Sequence, residues 1–310
     1  MATCSSTPSG SDNAKKDEEI RLMELYLIIR NGELVTWLRR RGLIGDFTDS
    51  DCGKCTGKMK LVKDSSYSKD GHCWRCSNRK CNSKVSIRRG SWFERSRLTI
   101  SQIIKLTYFW VYKETETLAM RESNVSSWRS AQEWYSFCIT VCTCTLEKES
   151  TPIGGPGETV ELYESKRVSI GGRNANGPWV FSGIDRQSRD CFLVVVSDRS
   201  AETLVPIIKQ FVKPGSKIVS HCWKSRCSLD KEGYIRVLAT LDHSVEFFES
   251  SNHTLEIEST WREVMRSLFG GAAQSCYVEF LFRRKYLHDS HDQFLAFLEK
   301  VKSVYTPTLY

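Results

Sequence analysis

Apolar residues recur at helical spacing from Ile20 to Arg41: Leu22, Leu25, Ile28, Ile29, then Leu34, Trp37 and Leu38. Asn31-Gly32 interrupts the stripe and predicts two short helices, and Gly42 after Arg39-Arg40-Arg41 suits a helix C-terminus. Residues 50–93 carry little helical pattern, with short strands expected near 58–63 and 84–88. Helical periodicity returns over 99–147. Ile100, Ile103, Ile104, Leu106 and Thr107 start one stripe. The turn Ser123-Asn124-Val125-Ser126 offers N-caps for a helix over 128–146, with Trp134, Phe137, Cys138 and Val141 on its apolar side.

After a Pro/Gly-rich stretch at 151–157 the period changes to two. Strands are expected at 159–164, 179–184 and 191–196, with a hairpin connection over 185–190. A helix over 200–212, a strand at 217–220 and a weak strand at 234–238 follow. Helices over 256–268, 274–286 and 292–304 close the pattern. This is an α/β domain with a mixed sheet. The chain then divides into a polar tail (1–18) expected to be disordered, N-terminal helices (19–45), a cysteine-rich segment (46–95), a helical region (96–150), a linker (151–157) and the α/β domain (158–306).

Charge sharpens the division. The net charge of the 310 residues is +8. Between Cys52 and Tyr135 there are seventeen Lys/Arg and seven Asp/Glu, a balance of +10, so the remainder is −2. A localised positive surface points to nucleic acid, with a solvated basic face as the plain alternative. No charged-then-apolar signal pattern opens the chain and no stretch approaches eighteen apolar residues, which argues against a membrane span. Thirteen cysteines in such a chain imply a reducing, intracellular setting, where clustered thiols bind metal more often than they form disulfides.

Cys52-x-x-Cys55 is followed by Cys73, Cys76 and Cys81, with His72 a spare donor. Zinc needs four soft ligands in a tetrahedron, which paired thiolates on tight turns supply. Two registers are open: Cys52/Cys55/Cys73/Cys76 and Cys52/Cys55/Cys76/Cys81. The surrounding segment is polar and has too few apolar residues to fold alone, so a structural zinc is expected. Arg75, Lys80, Lys84, Arg88 and Arg89, interleaved with Trp74 and Trp92, are candidate phosphate contacts. The rhythm of 116–125 and 126–137 fits a helix-turn-helix as well as an ordinary bundle. Arg129, near the start of the second helix, would then lie at the DNA.

Several ordered motifs carry a family resemblance: DCGKC, GHCWRCSNRKCNSKVSIRRGSWFE, VELYESK, GPWVFSGIDR, CFLVVVSDRSAETLVPIIKQFVKPGSKIVSHCWKS, HSVEFF, HTLEIESTWREVMRSL and YVEFLFRRKY. Together they resemble the DDE transposases of the Merlin group, relatives of bacterial ISXO-like insertion-sequence transposases, over roughly residues 45–305. The resemblance implies a ribonuclease H-like mixed sheet with flanking helices, preceded by a zinc ribbon. It also favours Cys76 and Cys81 as the second ligand pair. In that family three acids hold two divalent ions that drive in-line phosphoryl transfer, and magnesium wants hard oxygen ligands.

Here the three positions are Tyr163, His221 and Glu258, of which only Glu258 is acidic. A phenol with a pKa near 10 is neutral at pH 7, and imidazole suits softer metals. The magnesium or manganese site is therefore expected to be lost. Glu161 lies on the same strand face about 6–7 Å away; Glu164 faces the other side, and Asp185 and Asp198 fall in connections. The expected function is that of a transposase-derived, DNA-binding, nuclear protein without strand-cleaving activity, a domesticated transposon product whose α/β domain serves as a scaffold and could self-associate. The competing readings are an active transposase or nuclease with an altered metal, and a zinc-ribbon module for protein interaction.

Overall fold

The computed structural model describes residues 19–166, 179–220, 229–238 and 273–309. The tail 1–18, the expected helix over 256–268, His221 and Glu258 lie outside these residues. The chain divides into two compact units. One runs to Asn124 and takes in Ser290–Glu299 and the residues from Thr306; the other is Val125–Asp289 with Lys300–Tyr305. The division falls inside the stretch 96–150 that sequence pattern groups as one helical region.

In the first unit, α1 (Leu22–Arg30) and α2 (Leu34–Arg40) are separated at Asn31-Gly32, where Gly32 takes a φ of 73°. Leu25, Leu34 and Leu38 are buried. Three antiparallel strands follow in the order β1 (Met59–Lys63), β2 (His72–Cys76) and β3 (Lys84–Ser86). β2 is absent from the sequence expectation, because its HCWRC composition reads as ligands rather than as alternation. One face of this sheet is apolar. Met59 and Trp74 are fully buried, with Phe47 edge-on to Trp74 at 5.5 Å and the Arg39 guanidinium over its ring. α3 (Ile100–Val111) opens on a Thr99–Gln102 capping box. α4 (Glu116–Ser123) is capped by Thr115 and ends on Asn124 in the left-handed region.

The ribbon is fastened to the start of α3 by a buried ion pair. Arg88 is 6% exposed. Its guanidinium forks onto the Asp70 carboxylate and donates also to the carbonyls of Phe93, Ser96 and Leu98. Asp70 accepts in addition from the Ile100 amide at 2.9 Å. A charge this deep persists only because every donor is used.

The second unit holds α5 (Trp128–Glu149), N-capped by Ser127, and a five-stranded sheet. Its strands are β4 (Thr159–Lys166), β5 (Trp179–Asp185), β6 (Cys191–Val196), β7 (Lys217–Ser220) and β8 (Ile235–Leu238). Their spatial order is β6-β5-β4-β7-β8. β4 and β5 are antiparallel, as are β5 and β6, while β4–β7 and β7–β8 are parallel. The sheet is therefore mixed, as the strand pattern implies. α6 (Ala201–Phe211) supplies Leu204 and Ile208 to a core with Val160, Leu162, Phe181, Phe192 and Ile218 on one face. Gly183 makes room there for the Phe192 ring, which would lie 2.4 Å from an added Cβ. α7 (Ala273–Phe282), continued by a π-helical turn over Arg283–Leu287, supplies Tyr277 and Phe280 against Val180 on the other face. α8 (Gln293–Val304) follows, and its residues Phe294 and Phe297 belong to the first unit, packed on Tyr108, Trp92 and Trp110.

Arg88→Ala leaves the buried Asp70 carboxyl without its guanidinium partner. It is expected to cost about 3–5 kcal/mol, whereas Arg89→Ala, at an exposed neighbour, should stay within about 0.5 kcal/mol. Urea unfolding followed by tryptophan emission reads the difference; equal midpoints for the two variants would contradict the role given to Arg88.

Candidate functional site

Cys52 and Cys55 flank a tight turn just before β1, Cys76 ends β2, and Cys81 sits in the turn before β3. The hairpin pairing of β1 with β2 brings the turns together: Met59 lies opposite Cys76. All four sulfurs lie within 4.8 Å of one another. Cys52 and Cys81 are 3.7 Å apart and Cys55 and Cys76 are 3.5 Å apart. A Zn–S bond of about 2.3 Å sets the edge of a sulfur tetrahedron at about 3.8 Å, so the cage has the dimensions of a zinc site. The amides of Gly57 and Asn78 each donate to a cluster sulfur, Cys55 and Cys76 respectively, at 3.3 Å.

Those donors favour thiolates, and desolvation opposes them. The Lys54 amide pulls Cys52 down to about 7, while burial pushes Cys76 up to about 12. Four thiols in one cage cannot all ionise without a cation between them; a divalent ion with thiolate affinity removes the conflict. Gly57 is required by the same crowding, since an added Cβ would stand 2.6 Å from the Cys76 sulfur. Cys73 is fully buried but three residues before Cys76 on one strand, so it faces the other side of the sheet and is not in the cage. Nor is His72. The four residues can hold a zinc ion, which would clamp the two turns and supply no further chemistry.

The basic residues singled out in the sequence meet different fates. Lys80 and Arg89 are exposed. Arg75 and Lys84 lie on one sheet face, each 2.7 Å from the same Asp64 oxygen. Arg129, in the first turn of α5, is 87% exposed and pairs with Glu133 one turn on. Arg88 is withdrawn from the phosphate-contact set, because its guanidinium is buried on Asp70 and its carbonyl partners. Sequence reasoning overlooked Asp64 and Asp70. They are the only two acids between Cys52 and Phe93, a signal that was there to be read. The helices α4 and α5, paired in the helix-turn-helix reading, fall in different units.

In the second unit Tyr163 sits on β4, the middle strand, opposite Ser182 of β5. Leu162, its neighbour, pairs with Ser220, the residue before His221. Tyr163 is packed against the apolar cluster of Val180, Tyr277 and Phe280, as are Leu193, Val195 and Cys276. An unpaired carboxylate would be costly among such neighbours.

The nearby acids are engaged elsewhere. Glu161 is buried against Arg186. Glu164 pairs with Arg199 at 2.6 Å. Asp185 accepts from the amides of Gly154, Gln187 and Ser188, which fixes the hairpin to the linker. The Ser200 hydroxyl, then the Ser200 amide and the Thr203 hydroxyl at the start of α6, hold the Asp198 carboxyl well below the usual range. Of the three positions only Tyr163 lies among the described residues, and its phenol is a poor ligand for magnesium or manganese.

No helix of the described residues is long and apolar enough to cross a membrane. No curated protein matches the chain. Residues 145–288, which contain the five-stranded sheet, α6 and α7, match the ISXO2-like transposase domain, and this part of the chain is related to the ISXO-like DDE transposases.

Proposed function

We propose that this is a transposase-derived DNA-binding protein that has lost strand cleavage. The observation that carries the reading is the surroundings of Tyr163. The family's chemistry needs a carboxylate at that position of the central strand, and here a phenol takes part in an apolar cluster with Val180, Tyr277 and Phe280. The metal pair contributes several kcal/mol to the transition state, and each 1.36 kcal/mol is about tenfold in rate. Losing the ligand set removes the activity rather than weakening it.

The sheet order supports a ribonuclease H-like reading of the second unit. Its first strand is central and its fourth lies beside it in parallel, the adjacency that the resemblance requires for the first two acid positions. On this reading the sheet unit is a scaffold, available for self-association. Zinc on Cys52, Cys55, Cys76 and Cys81 holds the ribbon. Exposed cations at Lys80, Arg89 and Arg129, with Arg75 and Lys84, meet phosphates, and a nuclear location follows from a DNA target.

Two experiments test the reading. Protein purified without chelator should contain one zinc per chain. Cys81→Ser should lose it and Cys73→Ser keep it; the reverse pattern would assign the other register. Supercoiled plasmid or terminal-repeat DNA incubated with the protein and magnesium, manganese or zinc should stay intact while binding is retained. Nicking that Glu258→Gln abolishes would establish an active nuclease instead.

A further inference from the structure

The pairing of the ribbon strands places three cations in one line. Lys60 lies directly opposite Arg75, and Arg75 directly opposite Lys84. Residues in register across antiparallel strands share a face, so all three stand on the side away from Met59 and Trp74. Lys60 is exposed, and the side chains of Arg75 and Lys84 keep 37% and 27% of their surface. Asp64, in the turn after β1, sits among them. One of its oxygens is 2.7 Å from both the Arg75 guanidinium and the Lys84 ammonium, and the other is held by the Ser66 hydroxyl and the Tyr67 amide. Lys84 and Ser66 chiefly hold that carboxyl well below its ordinary range, so the aspartate is ionised. The exposed Tyr67 ring lies 5.4 Å from the Lys84 ammonium.

We propose that this face of the ribbon sheet docks the phosphate backbone of duplex DNA, with Lys60, Arg75 and Lys84 as the contact row and Asp64 as a resident stand-in for a phosphate. An acidic oxygen shared by a guanidinium and an ammonium is the arrangement a phosphate oxygen would make. Three strands about 4.8 Å apart give a row about 10 Å long. Flexible side chains along it meet a backbone that carries one charge per 3.4 Å of axis on each strand, to within about their own reach. Asp64 keeps Arg75 and Lys84 in place without a ligand, and it also cancels one of the three charges.

This rests on the DNA-binding reading above, and the test separates the two. Anisotropy of a labelled random-sequence duplex is followed against salt for the zinc-loaded full chain. Each cation that meets a phosphate contributes about 0.9 to the slope of log affinity on log salt. Lys60→Ala should reduce the slope by about 0.9, and Asp64→Asn should steepen it by a similar amount and tighten binding. Zinc content of both variants, compared with the parent chain, reports the ribbon's integrity. Should the parent chain bind no duplex, the DNA-binding reading itself is lost. Should it bind, with both slopes unchanged at full zinc content while Arg79→Ala and Lys80→Ala flatten theirs, DNA binding stands and this face is not where it happens.

Discussion

Charge that leaves water must be neutralised within a few ångströms, and the ribbon is built around that rule. Between Cys52 and Phe93 few side chains are apolar enough to make a core by themselves. Met59, Trp74, Ile87, Trp92 and Phe93 are the main buried ones apart from cysteines. The segment is closed by two other devices. One is the four-sulfur cage, whose thiols need a cation in order to ionise together. The other is Arg88 on Asp70, buried at 8% and 4% side-chain exposure and tied to the backbone that leads into α3. Both replace apolar burial by paired charge, which is the means open to a short, Lys-rich stretch.

The same rule accounts for the state of the sheet unit. Carboxylates gathered at one edge of a sheet repel one another unless cations lie between them. Without cations beside it, an acid at position 163 would be a liability among Val180, Tyr277 and Phe280. A phenol fills more of the apolar cluster and carries no charge at neutral pH. The acids that do remain on this sheet each have a local cation or amide: Glu161 with Arg186, Glu164 with Arg199, Asp185 with three backbone amides. In electrostatic terms, loss of a carboxylate ligand and loss of the metal at such a site would be coupled.

How much of this could be read from sequence depends on the distance between partners. The strand at Cys191–Val196 and the helix at Ala201–Phe211 announce themselves by composition and period, and so do both helices before the ribbon. The cysteine pairs are legible as pairs, but the choice between Cys73 and Cys81 turns on β2. A strand over His72–Cys76 puts residues three apart on opposite faces, and HCWRC gives no alternation to reveal it. Arg88 looks like part of a solvated Arg-Arg run; its partner lies eighteen residues back, at Asp70. The apolar setting of Tyr163 was equally hidden, since Tyr277 and Phe280 join it from more than a hundred residues away.

Binding and cleavage decay at different rates for a physical reason. Affinity for a polyanion is a sum over many cations, each worth a modest increment and each replaceable by a neighbour. The ribbon segment has such redundancy, with Lys54, Lys60, Lys63, Arg79, Lys80 and Arg89 all exposed. Two-metal phosphoryl transfer has none. It depends on oxygens held within about an ångström of one geometry, and a single neutral side chain at one of three positions abolishes the product of all three. A chain freed from selection for cleavage would therefore lose position 163 long before it lost its hold on DNA.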